Sequence, residues 1–209
     1  MKQEVLTSAY QLVSFLLRYP TDEHIEAMEE MKLFLNDIEV DSVSRPLTEF
    51  IHSIADWNKE QLVEHYIEVF DFGKTSNLYM TYLKLGEQKE RGLELLRLKK
   101  FYHAAGFEVT DKELPDYLPL MLEFCSCVES NIRCELLEKY TMAIVETKGK
   151  LTGFNSNYAN LLEALLGLME AEGMEVENTG VMYQEQPLSL EDARIMQSMR
   201  DQLIRNQLG

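Results

Sequence analysis

Two prolines, Pro115 and Pro119, stand four residues apart in Glu113-Leu-Pro-Asp-Tyr-Leu-Pro-Leu-Met-Leu-Glu-Phe124, in front of an almost unbroken apolar run. Proline removes a backbone donor and fits only the first turn of a helix without cost. The run is therefore helical only if the helix starts close to Pro119. Asp116 as N-cap meets that condition. Tyr117, Leu118 and Pro119 then fill the first three helical positions, and the carboxylate accepts from the Leu118 N–H at the positive end of the helix dipole. Leu118, Leu122 and Cys125 line one side of this helix and Leu120, Phe124 and Val128 another, so it belongs in a core around which the rest is arranged. Glu123, seven residues past Asp116, shares its face about 10 Å along the axis.

Helical spacing continues through the chain. Val5, Ala9, Leu12 and Leu16 form one stripe of a helix from Gln3 to Tyr19, ended by Pro20. Thr21 or Asp22 caps a second helix carrying Ile25, Met28, Met31 and Leu35. Pro46 fits the first turn of a short helix with Leu47, Phe50, Ile51 and Ile54. Asn58 and Gln61 have the spacing of a capping box, opening a helix with Leu62, Tyr66 and Val69. After a turn over 71–77 come Leu78 to Leu85. Past Gly86 a long helix runs to Ala105, with Gly106 as its stop. Helices near 130–147 and 156–172 follow. Residues 173–186 are polar and aperiodic, and Ser189 caps a last helix bearing Met196, Met199 and Leu203. Nothing alternates with period two. The expectation is an all-α fold: one compact multi-helix domain over 1–172, with 173–209 as a loosely attached tail.

The chemistry-bearing patterns mostly fail. With 20 basic and 36 acidic residues the formal charge is −16, which repels a phosphate backbone and excludes nucleic acid as the natural partner. No apolar run reaches spanning length, the N-terminus lacks a signal-peptide layout, and three cysteines suit a reduced, cytoplasmic location. Gly73-Lys74-Thr75 resembles the end of a phosphate loop, but Glu68 stands where a glycine is required and a helix, not a strand, precedes it. Asp71-Phe72-Gly73 lacks every companion kinase motif. Cys125, Cys127 and Cys134 have poor ligand spacing on a helix and read as core thiols. The histidines are scattered and read as surface or packing residues. Asp116 and Glu123, about 10 Å apart, lie at or beyond the range of paired catalytic carboxylates. No enzyme, cofactor or metal is expected. The methionines read as core filler, or as adaptable lining for a flexible partner.

Several phrases together resemble one family. Tyr66-Ile-Glu-Val-Phe-Asp-Phe72, Leu78-Tyr-Met-Thr-Tyr82, Arg91-Gly92, Tyr102-His-Ala-Ala-Gly-Phe107 and Glu113-Leu-Pro-Asp-Tyr-Leu-Pro119 with Leu122-Glu-Phe124 are similar to those of the NarJ-type assembly chaperones of respiratory nitrate reductase, within the TorD/DmsD-like group. The resemblance runs from about residue 3 to 172. It implies a cytoplasmic all-helical chaperone that binds the N-terminal segment of the apo catalytic subunit. That subunit is then held open for insertion of the molybdenum–bis(guanine dinucleotide) cofactor. Leader-binding relatives carry Asp-His where this chain has Asp116-Tyr117, which fits the nitrate reductase branch over a chaperone for another molybdoenzyme leader. A client peptide is expected in a groove between helices. Leu114, Pro115, Asp116, Tyr117 and Glu123 would form one wall, and Tyr79, Tyr82 and Arg91 would form the facing wall or brace it. Weaker alternatives are a nucleotide hydrolase using Lys74 and a passive helical adaptor docking through the Met196–Leu203 stripe.

Overall fold

The computed structural model describes residues 1–71, 77–82, 89–110 and 112–176. Helices α1 (Gln3–Leu16), α2 (Asp22–Glu26), α3 (Met28–Phe34), α4 (Asp41–Ile54) and α5 (Lys59–Tyr66) form the first half. Helices α6 (Lys89–Ala104), α7 (Leu118–Cys127), α8 (Ser130–Glu138), α9 (Thr141–Gly153) and α10 (Tyr158–Ala171) complete it. The all-α expectation holds: among the described residues the sole extended pairing is an isolated antiparallel bridge between Tyr79 and Tyr117. Among them, too, no helix is long and apolar enough to cross a membrane.

The centre of the bundle is α10, not the Pro119 helix. Helices α1, α4 and α9 all pack on α10, while α7 packs chiefly on α1. Leu161, Leu162, Ala164, Leu165, Leu168 and Met169 on α10 are buried on several sides. The expected centre is thus displaced by one whose sequence, Tyr158–Ala171, is also apolar nearly all round. α7 remains a core helix, with Leu118, Met121, Leu122, Phe124 and Cys125 buried. It is tied to α1 by the Ser14 hydroxyl, which donates to the Pro119 carbonyl at 2.7 Å.

Pro46 does not open its helix. α4 starts five residues earlier, at Asp41, and the proline lies inside it. It has no N–H to offer the Ser42 carbonyl, and that carbonyl faces α10 where Gly167 leaves room: a Cβ at Gly167 would lie 2.4 Å from the Ser42 oxygen. The second expected helix breaks at Ala27 into α2 and α3, and the expected helix at 130–147 breaks at Lys139–Tyr140. Thr21 does cap α2, in a reciprocal pair with His24, and Asn58 caps α5 with Gln61. α5 then continues as one wide π turn, Ile67–Asp71.

One helix ends on a left-handed residue as the sequence suggests, at Gly106 (φ 88°), and two more end in the same way at Asn155 (φ 52°) and Gly173 (φ 87°). At Gly173 the chain reverses and the Met174 N–H returns to the Met169 carbonyl at 3.0 Å. Met174 and Val176 are buried against the bundle, so packing persists four residues beyond the expected boundary at 172. The 177–209 part of the tail, with its Met196, Met199 and Leu203 stripe, lies outside the described residues. So do Gly73-Lys74-Thr75 and most of the 71–77 turn.

One buried ionic cluster was not foreseen. Arg133 is wholly buried; its Nε and Nη2 donate to the Cys125 and Val128 carbonyls at 2.7 and 2.8 Å, and Nη1 meets Glu172 at 2.7 Å. Glu172 also accepts from the Tyr10 and Ser130 hydroxyls at 2.8 and 2.7 Å. One guanidinium thereby satisfies the end of α7 and joins α1, α8 and the end of α10.

Candidate functional site

The two longest motif phrases meet in space. Residues 78–80 run antiparallel to 116–118. The Met80 N–H donates to the Asp116 carbonyl (3.0 Å) and the Leu118 N–H to the Leu78 carbonyl (2.7 Å). These bonds flank Tyr79 and Tyr117, making them a non-hydrogen-bonded pair, the arrangement that brings facing side chains closest. Their rings lie 5.3 Å apart. Neither tyrosine leaves its backbone open. The Tyr117 N–H goes to Leu114 and its carbonyl accepts from Met121, while the Tyr79 carbonyl accepts from Tyr82 and its N–H meets the Asn77 side chain. A partner cannot add as a further strand at this pair, which leaves only side chains to offer.

Asp116 is not the helix cap. Tyr117 occupies the N-cap, Pro119 stands within the first two helical positions, and the Leu118 N–H that Asp116 was expected to cap is used by Leu78. The Asp116 side chain is fully buried and turns the other way. Its Oδ2 accepts from the Thr81 N–H (3.2 Å) and hydroxyl (2.5 Å), with Arg91 Nη2 at 3.6 Å. Arg91 Nε donates to the Thr81 hydroxyl at 3.1 Å, and its guanidinium lies 5.5 Å from the Tyr82 ring centre. Oδ1 is buried with no protein partner. Thr81, Asp116 and Arg91 lock α6, the 78–82 segment and the turn together. Next to them the buried Tyr102 hydroxyl donates to the Pro115 carbonyl at 2.8 Å.

The expected residues therefore separate. Pro115 and Asp116 are buried, and the Arg91 side chain is only 17% exposed. Leu114 and Tyr82 stand out at 39% and 40% exposure, with Tyr79 and Tyr117 half-buried between them. Glu123 is not part of this cluster. Asp116 precedes the helix in non-helical backbone, so helical spacing does not link the two, and Glu123 pairs at the surface with Arg18, just past the end of α1, at 2.8 Å. The fully buried Arg133 pairs with Glu172 and not with Glu123.

Residues missed from the sequence complete the site. Glu113 accepts from the Tyr79 hydroxyl and the Leu114 N–H, both at 2.9 Å. Burial, reinforced by Glu113, raises the Tyr79 pKa and keeps it a hydroxyl donor. Tyr66 from α5 brings its hydroxyl 3.3 Å from that of Tyr117. Both lie inside the quoted phrases, but which atoms they meet depends on the antiparallel pairing, which no local pattern encodes.

Other expectations divide as well. Among the described residues no group of three or more His, Cys, Asp or Glu side chains is placed to hold a metal. Cys125 is a core thiol whose pKa burial raises, but Cys127 is exposed. Met28, Met31, Met80, Met121 and Met169 fill the core, whereas Met142 is exposed. His24 and His65 are packing residues, and burial lowers the pKa of each.

The family model for the nitrate reductase delta subunit matches residues 35–163, which take in both motif phrases and the lock between them. The chain belongs to the nitrate reductase delta subunit family. It is 40% identical over 173 residues to the probable nitrate reductase molybdenum cofactor assembly chaperone NarJ of Bacillus subtilis, covering 83% of this chain and 94% of that protein. The NarJ chaperone of Escherichia coli is 27% identical over 160 residues, 75% of this chain and 67% of its own. A third relative, the nitrate reductase-like protein NarX of Mycobacterium tuberculosis, is 27% identical over 156 residues, which span 23% of that longer protein. The resemblance to NarJ-type proteins seen in the motifs thus extends over most of the chain.

Proposed function

We propose that this protein is an assembly chaperone for a respiratory nitrate reductase, acting in the cytoplasm without catalysis of its own. It binds the N-terminal segment of the apo catalytic subunit and keeps that subunit open while the molybdenum cofactor is inserted. The observation that carries this reading is the match over 94% of a relative named for that task. The geometry supports a division of labour at the site. Leu114, Tyr117, Tyr79 and Tyr82 offer an amphipathic contact strip, whereas Pro115, Asp116 and Arg91 hold the strip in shape from beneath. Tyrosine suits the work, since it contributes apolar area and a polar tip at little entropic cost. A chaperone must also release its client, which favours micromolar affinity, about −8 kcal/mol, over nanomolar.

Calorimetric titration with a synthetic peptide copying the catalytic subunit's N-terminus tests the reading. Heat of binding is expected with the native protein. Leu114→Ala and Tyr82→Ala, both at exposed positions, should each weaken it several-fold. No binding by the native protein, or full affinity in both variants, would remove the strip from consideration. Binding to another molybdoenzyme's leader in preference to this one would reassign the client.

A further inference from the structure

The strip does not end at Tyr117. Tyr66 lies beneath it through the hydroxyl contact already described, and its ring makes a T-shaped contact with that of Tyr19, centroids 5.4 Å apart. Tyr19 follows α1 at the corner before Pro20 and is 49% exposed. Tyr79, Tyr117, Tyr66 and Tyr19 are thus in ring or hydroxyl contact one after the next, with Tyr66 buried beneath and linking the half-buried Tyr117 to the exposed Tyr19. Tyr19 lies ahead of residues 35–163, the part matched by the family model.

Two exposed ion pairs include near neighbours of Tyr19 in sequence, Arg18 and Asp22. Arg18, adjacent to Tyr19, pairs with Glu123 (2.8 Å; side chains 44% and 53% exposed), and Lys59 pairs with Asp22 (2.8 Å; 41% and 71% exposed). Exposed pairs like these contribute little to stability and exchange easily. A cation arriving from outside can take Glu123 or Asp22 in place of Arg18 or Lys59, at almost no cost to the fold. The face of Tyr19 lies between the two pairs in sequence and offers that cation a π surface.

We infer that Tyr19 is a second anchor of the client site, where a lysine or arginine of the client peptide is held over the tyrosine ring and beside Glu123 or Asp22. The inference rests on the client-binding reading above and adds to it a position and a chemistry. It also gives Glu123 a role that its separation from Asp116 had removed. A client long enough to lie from Leu114 across Tyr117 to Tyr19 would present apolar side chains at one end and a cation at the other.

The test compares two peptides: the catalytic-subunit N-terminal peptide, and the same peptide with every lysine and arginine changed to glutamine. Tyr19→Ala should weaken the native peptide roughly tenfold, and Tyr19→Phe should leave it nearly unchanged, because the ring and not the hydroxyl makes the contact. Against the glutamine peptide, Tyr19→Ala should have little effect. Tyr19 is half exposed, so a far-UV circular dichroism melt should show all the variants folded. If Tyr19→Ala binds the native peptide normally while Leu114→Ala or Tyr82→Ala does not, the client site stands and its extension to Tyr19 is wrong. An equal loss for both peptides refutes the cation. If none of the three variants loses affinity, the client-site reading itself fails and the anchor falls with it.

Discussion

Replacing Gly167 by alanine tests the closest approach in the bundle, and replacing Gly149 supplies a control of opposite sign. Both glycines lie inside helices, where alanine is favoured by about 1 kcal/mol. At Gly149 an added Cβ has no heavy atom within 4 Å, so nothing opposes that gain. At Gly167 the Cβ would stand 2.4 Å from the Ser42 carbonyl oxygen, 2.8 Å from its carbon and 3.1 Å from its Oγ. An ordinary carbon–oxygen contact is about 3.3 Å, so α4 and α10 must separate locally by roughly 1 Å. The obstacle is backbone, which cannot swing aside as a long side chain would. A gap of that size forfeits roughly a quarter to a half of the dispersion attraction of the atom pairs around it. Overpacking of this kind costs about 2–3 kcal/mol. Less the helix gain, Gly167→Ala should lose about 1–2 kcal/mol, whereas Gly149→Ala gains about 1. Urea unfolding followed by far-UV circular dichroism reads both. For a chain of this size the melting temperatures should move by about 2–8 °C down and about 2–4 °C up. A Gly167→Ala protein as stable as Gly149→Ala would mean that the crossing of α4 and α10 is not closed by this glycine.

Arg133→Ala removes the cation from a buried pair and strips donors from the Cys125 and Val128 carbonyls. Its urea midpoint should correspond to a loss of about 3–5 kcal/mol, and a loss under about 1 kcal/mol would contradict the burial on which the figure rests. His24 accepts from the Thr21 N–H at Nδ1, which leaves Nε2–H to donate to the Phe15 carbonyl at 2.9 Å and fixes the neutral ring. Burial lowers the pKa of His24 and of His65 below the ordinary 6.5. The unfolded chain therefore binds more protons, and stability should fall as pH drops below that value. A His24→Gln, His65→Gln double variant should lose this component of the slope while retaining that of the carboxylates; an unchanged slope would refute it. Asp116→Asn keeps an acceptor for Thr81 but gives up the charge facing Arg91. It should weaken client binding with only a modest shift in the urea midpoint, and undiminished peptide affinity would dissociate the lock from the site. Client binding should also weaken with added salt, because the Arg18–Glu123 and Lys59–Asp22 pairs are exposed and screened; a salt-independent titration would leave the apolar strip as the sole determinant.

Patterns that depend on neighbours in sequence were readable from the sequence. The Asn58–Gln61 cap, a cap at Thr21, the stop at Gly106 and the buried face of α1 all follow from spacing and side-chain type. What could not be read was set by helix crossing. Pro46 looks like the start of a helix because proline is cheapest there. Inside α4 it is tolerated where the donor it lacks would have served the Ser42 carbonyl, the group that faces Gly167 more than a hundred residues later. Ranking the apolar helices failed for the same reason. α7 and α10 are both apolar on most sides, and only their packing partners make α10 the centre.

The proposed client site inverts the usual relation between motif and contact. Asp116 has the sequence signature of a cap, and that local solution was open to it. It is displaced because Leu78, brought alongside by the antiparallel pairing, takes the Leu118 N–H first. The carboxylate is thereby free to turn inward and fix Thr81 and Arg91. A buried aspartate with one oxygen unpartnered is costly, and its cost is offset by holding three segments in register. The residues that identify the motif thus act from beneath. The side chains left to meet a client, Leu114, Tyr82 and the half-buried tyrosines, are of types that sequence patterns alone assign to packing. Because Tyr79 and Tyr117 have no backbone group to spare, affinity at this pair must come from side-chain area and exchangeable surface charge. Both are weak per contact, which suits the release that the proposed function requires.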